Sequence, residues 1–298
     1  SLERSPSADV VSFSGKKTTE KKLRPRVQTA LDYSQDILSE AKTKKLTLQD
    51  IADVTNKYYS GVSVDSMSEL RKQIPDGQNY IAFFSSQLED DFSLSKEKMY
   101  VDLPKADTDE MAMLLFVMNC AHEFTHLEQE DTNYSVNQLK AMSKGNIEYA
   151  KAIMGISDAV FSVFDTKIQA QTLVPILKKD LNADVTRKYG SIIPFEAPVN
   201  RNMLPIANGL KNEKEMQKLL RIGFEQIFED VMVSISQNQP EIFDMIPSNE
   251  EYKDLMKKVR SYCALKASDE KEAYTTESEV ARKSLKTNKT LNIDVFPI

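Results

Sequence analysis

The chain has 298 residues, of which 41% are hydrophobic and 28% are charged, and its formal net charge is −6. This composition is typical of an ordinary folded protein that is long enough for a sizeable core. The acidic balance argues against a nucleic-acid partner, and the lack of a long apolar run argues against a membrane span.

The beginning of the chain differs in composition from the rest. Residues 1–25 are rich in Ser, Lys and Thr and have no apolar period, which predicts a flexible N-terminal arm. The segment has neither the basic start nor the apolar stretch of a secretory signal. We therefore expect a cytoplasmic protein, or one exported by a route that needs no ordinary signal peptide. A single domain is predicted for residues 26–298.

The first part of this domain is predicted to combine short helices with two strands. Apolar residues at steps of three and four, together with capping and turn signals, predict helices at residues 27–41, 47–59 and 65–74. Apolar and aromatic runs bounded by polar residues predict strands at residues 80–84 and 99–103.

The next helix, predicted for residues 108–130, has the signature of a buried element. Asp107 and Glu110 lie three residues apart and form a capping-box pattern at its start. The run from Met111 to Met118 is almost unbroken in its apolar character, which is typical of a helix inside a domain core. Cys120 follows on the same helix and is expected to be a small core residue.

Both histidines of the chain lie on this helix, at His122 and His126, with Glu123 directly after the first. Side chains four residues apart share one helical face, so the two imidazoles can bind one ion. Two buried imidazoles without such a partner would be costly. Glu123 lies one step round the helix, where a carboxylate can accept a proton from water but does not normally bind the metal. The pattern therefore predicts a metal site.

The pattern His-Glu-x-x-His resembles the active-site helix of the zincin metallopeptidases. The resemblance implies one Zn²⁺ ion bound by His122 and His126 and a metal-activated water that hydrolyses a peptide bond. Glu123 is then the general base that accepts the proton of this water. The predicted order of two strands followed by this helix is also that of zincins. By the same resemblance, Met99–Leu103 is expected to be the strand edge with which an extended substrate pairs.

A third metal ligand is needed, because catalytic zinc normally has three protein ligands and a water. The chain has no third histidine, so a carboxylate must supply it. Glu270, Ala273 and Tyr274 resemble the E-x-x-A-D/Y pattern of gluzincin-type families, in which the first glutamate binds zinc and the alanine allows two helices to approach. Glu272 lies one register away, and Glu148 lies at a spacing similar to that of thermolysin-like enzymes. Glu270 is the first candidate, and the other two stay open.

A second hydrogen-bond donor would be needed to stabilise the oxyanion that forms during hydrolysis. Tyr274, which stands where many gluzincins have an aspartate, is the first candidate, and Tyr134 is the second. For both, packing is the alternative role. Glu128 and Glu130 follow the motif on the same helix and are expected to form its solvated end.

The rest of the chain is predicted to be mostly helical. The predicted helices cover residues 135–150, 153–181, 212–236, 250–265 and 269–285. Residues 190–210 collect proline and glycine and are predicted to form an irregular connector, which at this length often has a function.

Together these features predict a predominantly helical α+β protein with a zincin-like metallopeptidase domain. A small sheet belongs to an N-terminal lobe at residues 26–130, and a helical C-terminal lobe covers residues 131–298. The expected function is that of a zinc-dependent peptidase of gluzincin type, acting on a protein or peptide. The alternative is a helical interaction or effector protein that keeps a structural or inactive zinc site.

Overall fold

The computed structural model describes residues 23–73, 80–130, 134–172 and 213–285. Within them the fold is predominantly helical with one small sheet, so the predicted α+β class is confirmed at this level. Nearly all of the predicted arm and the whole of the predicted connector at residues 190–210 lie outside the described residues. No helix in the described part of the chain combines the length and apolar character that crossing a membrane requires.

The N-terminal part alternates helices and strands. Its elements are α1 (Pro25–Ala41), α2 (Leu48–Tyr58), β1 (Ser63–Ser66), α3 (Met67–Gln73), β2 (Ala82–Leu88), β3 (Leu94–Val101), α4 (Leu103–Ala106) and α5 (Glu110–Glu130). The capping box predicted for α2 is present, since Thr47 and Asp50 exchange side-chain and backbone hydrogen bonds. The two predicted strands exist, although each covers more residues than the sequence pattern indicates.

The C-terminal part is helical where it is described. Its elements are α6 (Tyr134–Met142), α7 (Ile147–Thr172), α8 (Glu213–Asn238), a short 3₁₀ helix (Pro240–Met245) and α9 (Asn249–Leu285). The single helix predicted for residues 135–150 is wrong, because α6 ends at Met142 and Lys144 and Gly145 then adopt positive φ values of +53° and +76°. The break predicted near residue 267 is also wrong. No glycine or proline stands there, and Ala267 is fully buried, so α9 continues through it.

The sheet has the order β1-β3-β2, in which β3 pairs in parallel with β1 and antiparallel with β2. The sequence missed β1, because its four residues are mostly polar and show no alternating pattern. The prediction that Met99–Leu103 forms the exposed edge is also wrong, because Met99 lies on the central strand and pairs with both Val64 and Phe84. The edge strand that packs against α5 is β2.

Helix α5 lies between α1, α9 and β2. Asp109 caps it, since its Oδ1 accepts a hydrogen bond of 3.0 Å from the Ala112 N–H. The predicted capping box at Asp107 is therefore wrong, and a single cap hydrogen bond lies two residues later, at Asp109. Asp107 instead follows the last residue of α4 and forms an ion pair with Lys45 at 2.9 Å. Because α4 occupies residues 103–106, α5 begins at Glu110, two residues later than the predicted start at residue 108.

The apolar face of α5 packs into an aromatic cluster on α1 and α2. Phe124 is fully buried and stacks on Tyr33 with 4.3 Å between ring centroids and an interplanar angle of 15°. Tyr58 meets the same ring edge to face. On the other side of the helix, the Thr125 hydroxyl donates to the Thr276 hydroxyl of α9 at 3.0 Å. Packing on both sides holds the orientation of α5 about its own axis.

Replacing Phe124 with alanine should test this packing. We expect Phe124→Ala to lower the free energy of unfolding by about 3–5 kcal/mol, because the change removes a fully buried ring and leaves a cavity. The measurement is a urea titration followed by circular dichroism. The matched control is Tyr134→Ala, which removes a ring that is 56% exposed and should change the free energy by less than about 0.5 kcal/mol. Equal losses in the two variants would contradict the packing described for Phe124.

Candidate metal centre

Two imidazoles of α5 and one carboxylate of α9 lie next to one another. The Nε2 atoms of His122 and His126 lie 3.1 Å apart. The Glu270 oxygens lie 3.1 Å from Nε2 of His122 and 3.0 Å from Nε2 of His126. Within the described ranges, these three side chains form the group that could hold a metal ion. The site is largely enclosed, since His122 is only 6% exposed.

The spacing of the three side chains suits a tetrahedral metal ion. Zinc binds nitrogen and oxygen at about 2.0–2.2 Å, so tetrahedral ligands lie about 3.3 Å apart. The separations of 3.0–3.1 Å are close to this value, with Oε2 of Glu270 nearest to His122 and Oε1 nearest to His126. The Glu270 Oε2 atom is buried and makes no aligned hydrogen bond in the described part of the chain, although it approaches His122. A buried carboxylate oxygen without an aligned hydrogen bond fits a metal ligand better than a purely structural carboxylate.

Each imidazole has a polar side chain beside its other ring nitrogen. Nδ1 of His126 lies 2.8 Å from Oε1 of Gln129. Nδ1 of His122 lies 2.8 Å from Oε1 of Glu277, although the two groups are not aligned as in an ideal hydrogen bond. Such contacts orient the ring of a metal-binding histidine.

The role of Glu277 was not predicted, although a signal for it exists in the sequence. In many gluzincins the orienting carboxylate lies four residues after the metal-binding glutamate, and in this chain that position is Tyr274. Glu277 lies seven residues after Glu270, two turns along the same face of α9. From there its Oε1 lies 2.8 Å from Nδ1 of His122.

Glu123 faces the edge strand of the sheet. Its Oε2 accepts a hydrogen bond of 2.9 Å from the backbone N–H of Phe84 on β2. Burial raises the pKa of Glu123, while the charges of His122 and His126 act in the opposite direction. Glu123 thus lies within electrostatic reach of both imidazoles, and one of its oxygens is held by the main chain.

The electrostatics of the cluster favour positive charge at its centre. Burial alone would lower the pKa values of the two histidines, but the facing carboxylates overcome this effect. Glu270 and Glu277 hold the pKa of His122 well above 6.5, and Glu270 raises the pKa of His126 to about 9. Burial alone would also raise the pKa of Glu270, yet the imidazoles hold it well below 4.5. Protons and a metal cation compete for this negative field.

The other two candidate ligands lie outside the cluster. Glu272 is buried beside Arg26, whose Nε lies 2.9 Å from its carboxylate, so its charge is already matched. Glu148 is exposed in the first turn of α7. Of the three carboxylates left open by the sequence, the structure therefore brings only Glu270 to the imidazoles.

The tyrosines predicted as donors occupy different positions. Tyr274 is buried, and its ring meets that of His122 with 4.5 Å between centroids, so it packs directly against a candidate ligand. Tyr134 is 56% exposed at the start of α6. The predicted core position of Cys120 is confirmed, since it is fully buried.

Glu130 does not belong to a solvated helix end, so that prediction is wrong. The residue is half-buried, one of its oxygens is inaccessible to solvent, and the other accepts a hydrogen bond of 2.6 Å from Ser86 of β2. Burial raises its pKa to about 7. Strand β2 covers this end of α5, which the local sequence could not indicate.

Replacing Glu270 should abolish tight metal binding. We expect Glu270→Ala to weaken zinc affinity by more than about 100-fold, the upper limit typical of residues that only orient a ligand. Competition with a chromogenic chelator measures the dissociation constant. Glu148→Ala is the matched control and should bind zinc as the wild-type chain does. A larger loss in the control than in Glu270→Ala would contradict the cluster.

Glu130 should make stability depend on pH. The folded chain keeps a proton on Glu130 up to about pH 7, whereas the unfolded chain releases it near 4.5, so the free energy of unfolding falls as pH rises through this window. Glu130→Gln should remove this loss and stabilise the chain at pH 8 by roughly 2–3 kcal/mol relative to wild type. Urea titrations at pH 5 and pH 8 measure the effect. The exposed Glu241→Gln serves as control, and an identical pH slope in wild type and Glu130→Gln would contradict the burial argument.

Comparisons with protein-family models, with curated proteins and with solved structures find no match for this chain. The resemblance to zincins therefore depends on the His-Glu-x-x-His motif and on the spacing of the residues around it. What the structure supports directly is a buried site, formed by His122, His126 and Glu270, that could hold a metal ion.

Proposed function

We propose that this chain is a zinc-dependent peptidase of gluzincin type that hydrolyses peptide bonds in a protein or peptide. The observation that carries the proposal is the meeting of His122, His126 and Glu270 directly beside Glu123. Catalytic zinc has three protein ligands and one open position, whereas structural zinc is usually closed by four ligands. Three converging side chains in the described part of the chain match the catalytic arrangement.

Zinc, when bound, supplies Lewis acidity that lowers the pKa of water towards about 7 and polarises a carbonyl group. The chain's own residues supply the proton transfers. Oε2 of Glu123 is occupied by the Phe84 N–H, so Oε1 is the atom that accepts a proton from the attacking water and later donates it to the leaving amine. The raised pKa of Glu123 suits a group that must both take and return a proton.

The edge of β2 is the natural place for an extended substrate. The Phe84 N–H points to Glu123 and therefore away from β3, so the outer side of β2 faces the base. A peptide that adds to this edge by main-chain hydrogen bonds would bring its backbone next to Glu123. Tyr274, which packs against His122, is the chain's candidate donor for the oxyanion.

Replacing Glu123 with glutamine tests the proposal. The amide oxygen can still accept from the Phe84 N–H, whereas the base is lost. We expect zinc content to stay at the wild-type level and hydrolysis to fall by at least about 100-fold. The two chains, loaded with zinc, are incubated with a broad peptide library, and the products are identified by mass spectrometry.

Glu110→Gln is the matched control, since it removes an exposed carboxylate from the first turn of the same helix and should cleave as wild type does. A zinc-loaded wild-type chain that cleaves no more of the library than Glu123→Gln would contradict the peptidase proposal. The site would then be structural, as in the alternative of a helical interaction protein.

A further inference from the structure

Gln129 contacts the imidazole ring of His126 on the side opposite to Glu270. It lies three residues after His126 on α5, and its Oε1 is 2.8 Å from the ring nitrogen Nδ1. Nε2 of the same ring faces Glu270 at 3.0 Å. The imidazole is therefore held between a side-chain amide and a carboxylate. Which nitrogen carries the proton decides whether Nε2 has a lone pair for a metal.

The orientation of the Gln129 amide is set by two hydrogen-bond acceptors on α9. Its Nε2 donates to the backbone carbonyl of Asp269 at 2.9 Å and to Oε1 of Glu272 at 3.4 Å. A carbonyl and a carboxylate can only accept, so the NH₂ group must face them. The amide oxygen is then left to face His126, and an oxygen at that place requires a proton on Nδ1.

Glu272 is in turn held by two arginines at the start of α1. Its carboxylate lies 2.9 Å from Nε of Arg26 and 3.4 Å from NH1 of Arg24, and it is 8% exposed. Ion pairing holds this carboxylate in place as an acceptor. A continuous set of contacts thus runs from Arg26 through Glu272 and Gln129 to His126, and it joins α1, α9 and α5.

We propose that Gln129, held by Glu272 and Arg26, is a positioning residue that keeps His126 in the Nδ1–H tautomer and so prepares Nε2 to bind a metal ion. A neutral imidazole otherwise places its proton on either nitrogen, and the Nε2–H form cannot bind a metal. The inference rests on the metal centre of the proposed function and not on peptide hydrolysis, so zinc binding itself is the readout.

Gln129→Met keeps the size of the side chain and removes the amide. We expect the dissociation constant for Zn²⁺, measured by chelator competition, to rise about 10–100-fold, as for other residues that orient metal ligands. The matched control is Gln226→Met, on an exposed position of α8 where the amide contacts only Asp230 of its own helix in the described structure. The control should bind Zn²⁺ as wild type does. Equal affinities of Gln129→Met and wild type would overturn the inference.

Nuclear magnetic resonance separates a tautomer effect from a general loss of structure. The chain has two histidines, so a ¹⁵N-labelled, zinc-loaded sample gives two imidazole spin systems. In wild type, we expect Nδ1 of His126 to carry a proton that exchanges slowly with solvent, while Nε2 has the shift of a metal ligand. In Gln129→Met that proton should exchange rapidly while the backbone spectrum remains folded. Zinc bound at Nδ1 of His126 in wild type would overturn the inference.

A pair of charge-exchanging variants tests the role of Glu272. Gln129→Glu places a second carboxylate beside Glu272 and the Asp269 carbonyl, and repulsion from these acceptors should move it away from Nδ1 of His126, so zinc affinity should fall. Adding Glu272→Gln to it restores one carboxylate and one amide, with their places exchanged, and most of the affinity should return. A double variant no tighter than the single one would contradict the proposed set of contacts. A wild-type chain that does not bind Zn²⁺ would instead contradict the metal centre itself.

Discussion

The packing of α9 against α5 is the contact on which the site depends, because the imidazoles of α5 meet their carboxylate only through it. Ala121 and Ala273 are fully buried, and the Thr125 and Thr276 hydroxyls join the two helices at 3.0 Å. The opposite side of α5 is held by the stacking of Phe124 on α1. With α5 held on both sides, the two helices bring the candidate ligand atoms of His122, His126 and Glu270 within 4.8 Å of one another.

Several ionisable groups are buried at this contact, and their charges are matched. An isolated buried charge is costly, whereas facing imidazoles and carboxylates compensate each other in a low-dielectric setting. Glu272 is paired with two arginines and lies outside the group formed by His122, His126 and Glu270. At Glu130 burial raises the pKa to about 7, because the hydrogen bond from Ser86 does not offset the loss of solvent. The distribution of charge thus separates Glu270, at the candidate metal site, from its neighbours.

Each face of α5 contacts a different element, because the helical repeat points successive side chains in different directions. The aromatic face belongs to the core, the face of His122 and His126 meets α9, and Glu123 faces the edge of β2. Residues that are adjacent in the motif therefore meet different elements. This arrangement places Glu123 between the candidate metal site and the outer edge of β2. Strand order matters here, because β3 is the central strand and both of its edges are paired.

The sequence by itself determined what depends on local spacing: the helix α5, the shared face of His122 and His126, and a short set of possible carboxylate ligands. It also predicted the α+β class, because helical and strand periods are local properties. Only the tertiary structure decided among the carboxylates, since that choice depends on the rotation of α9 against α5. The contacts of Glu277 and Gln129, the burial of Glu130 and the central place of β3 likewise arise between elements distant in sequence. No local pattern carries the angles and distances that such contacts require.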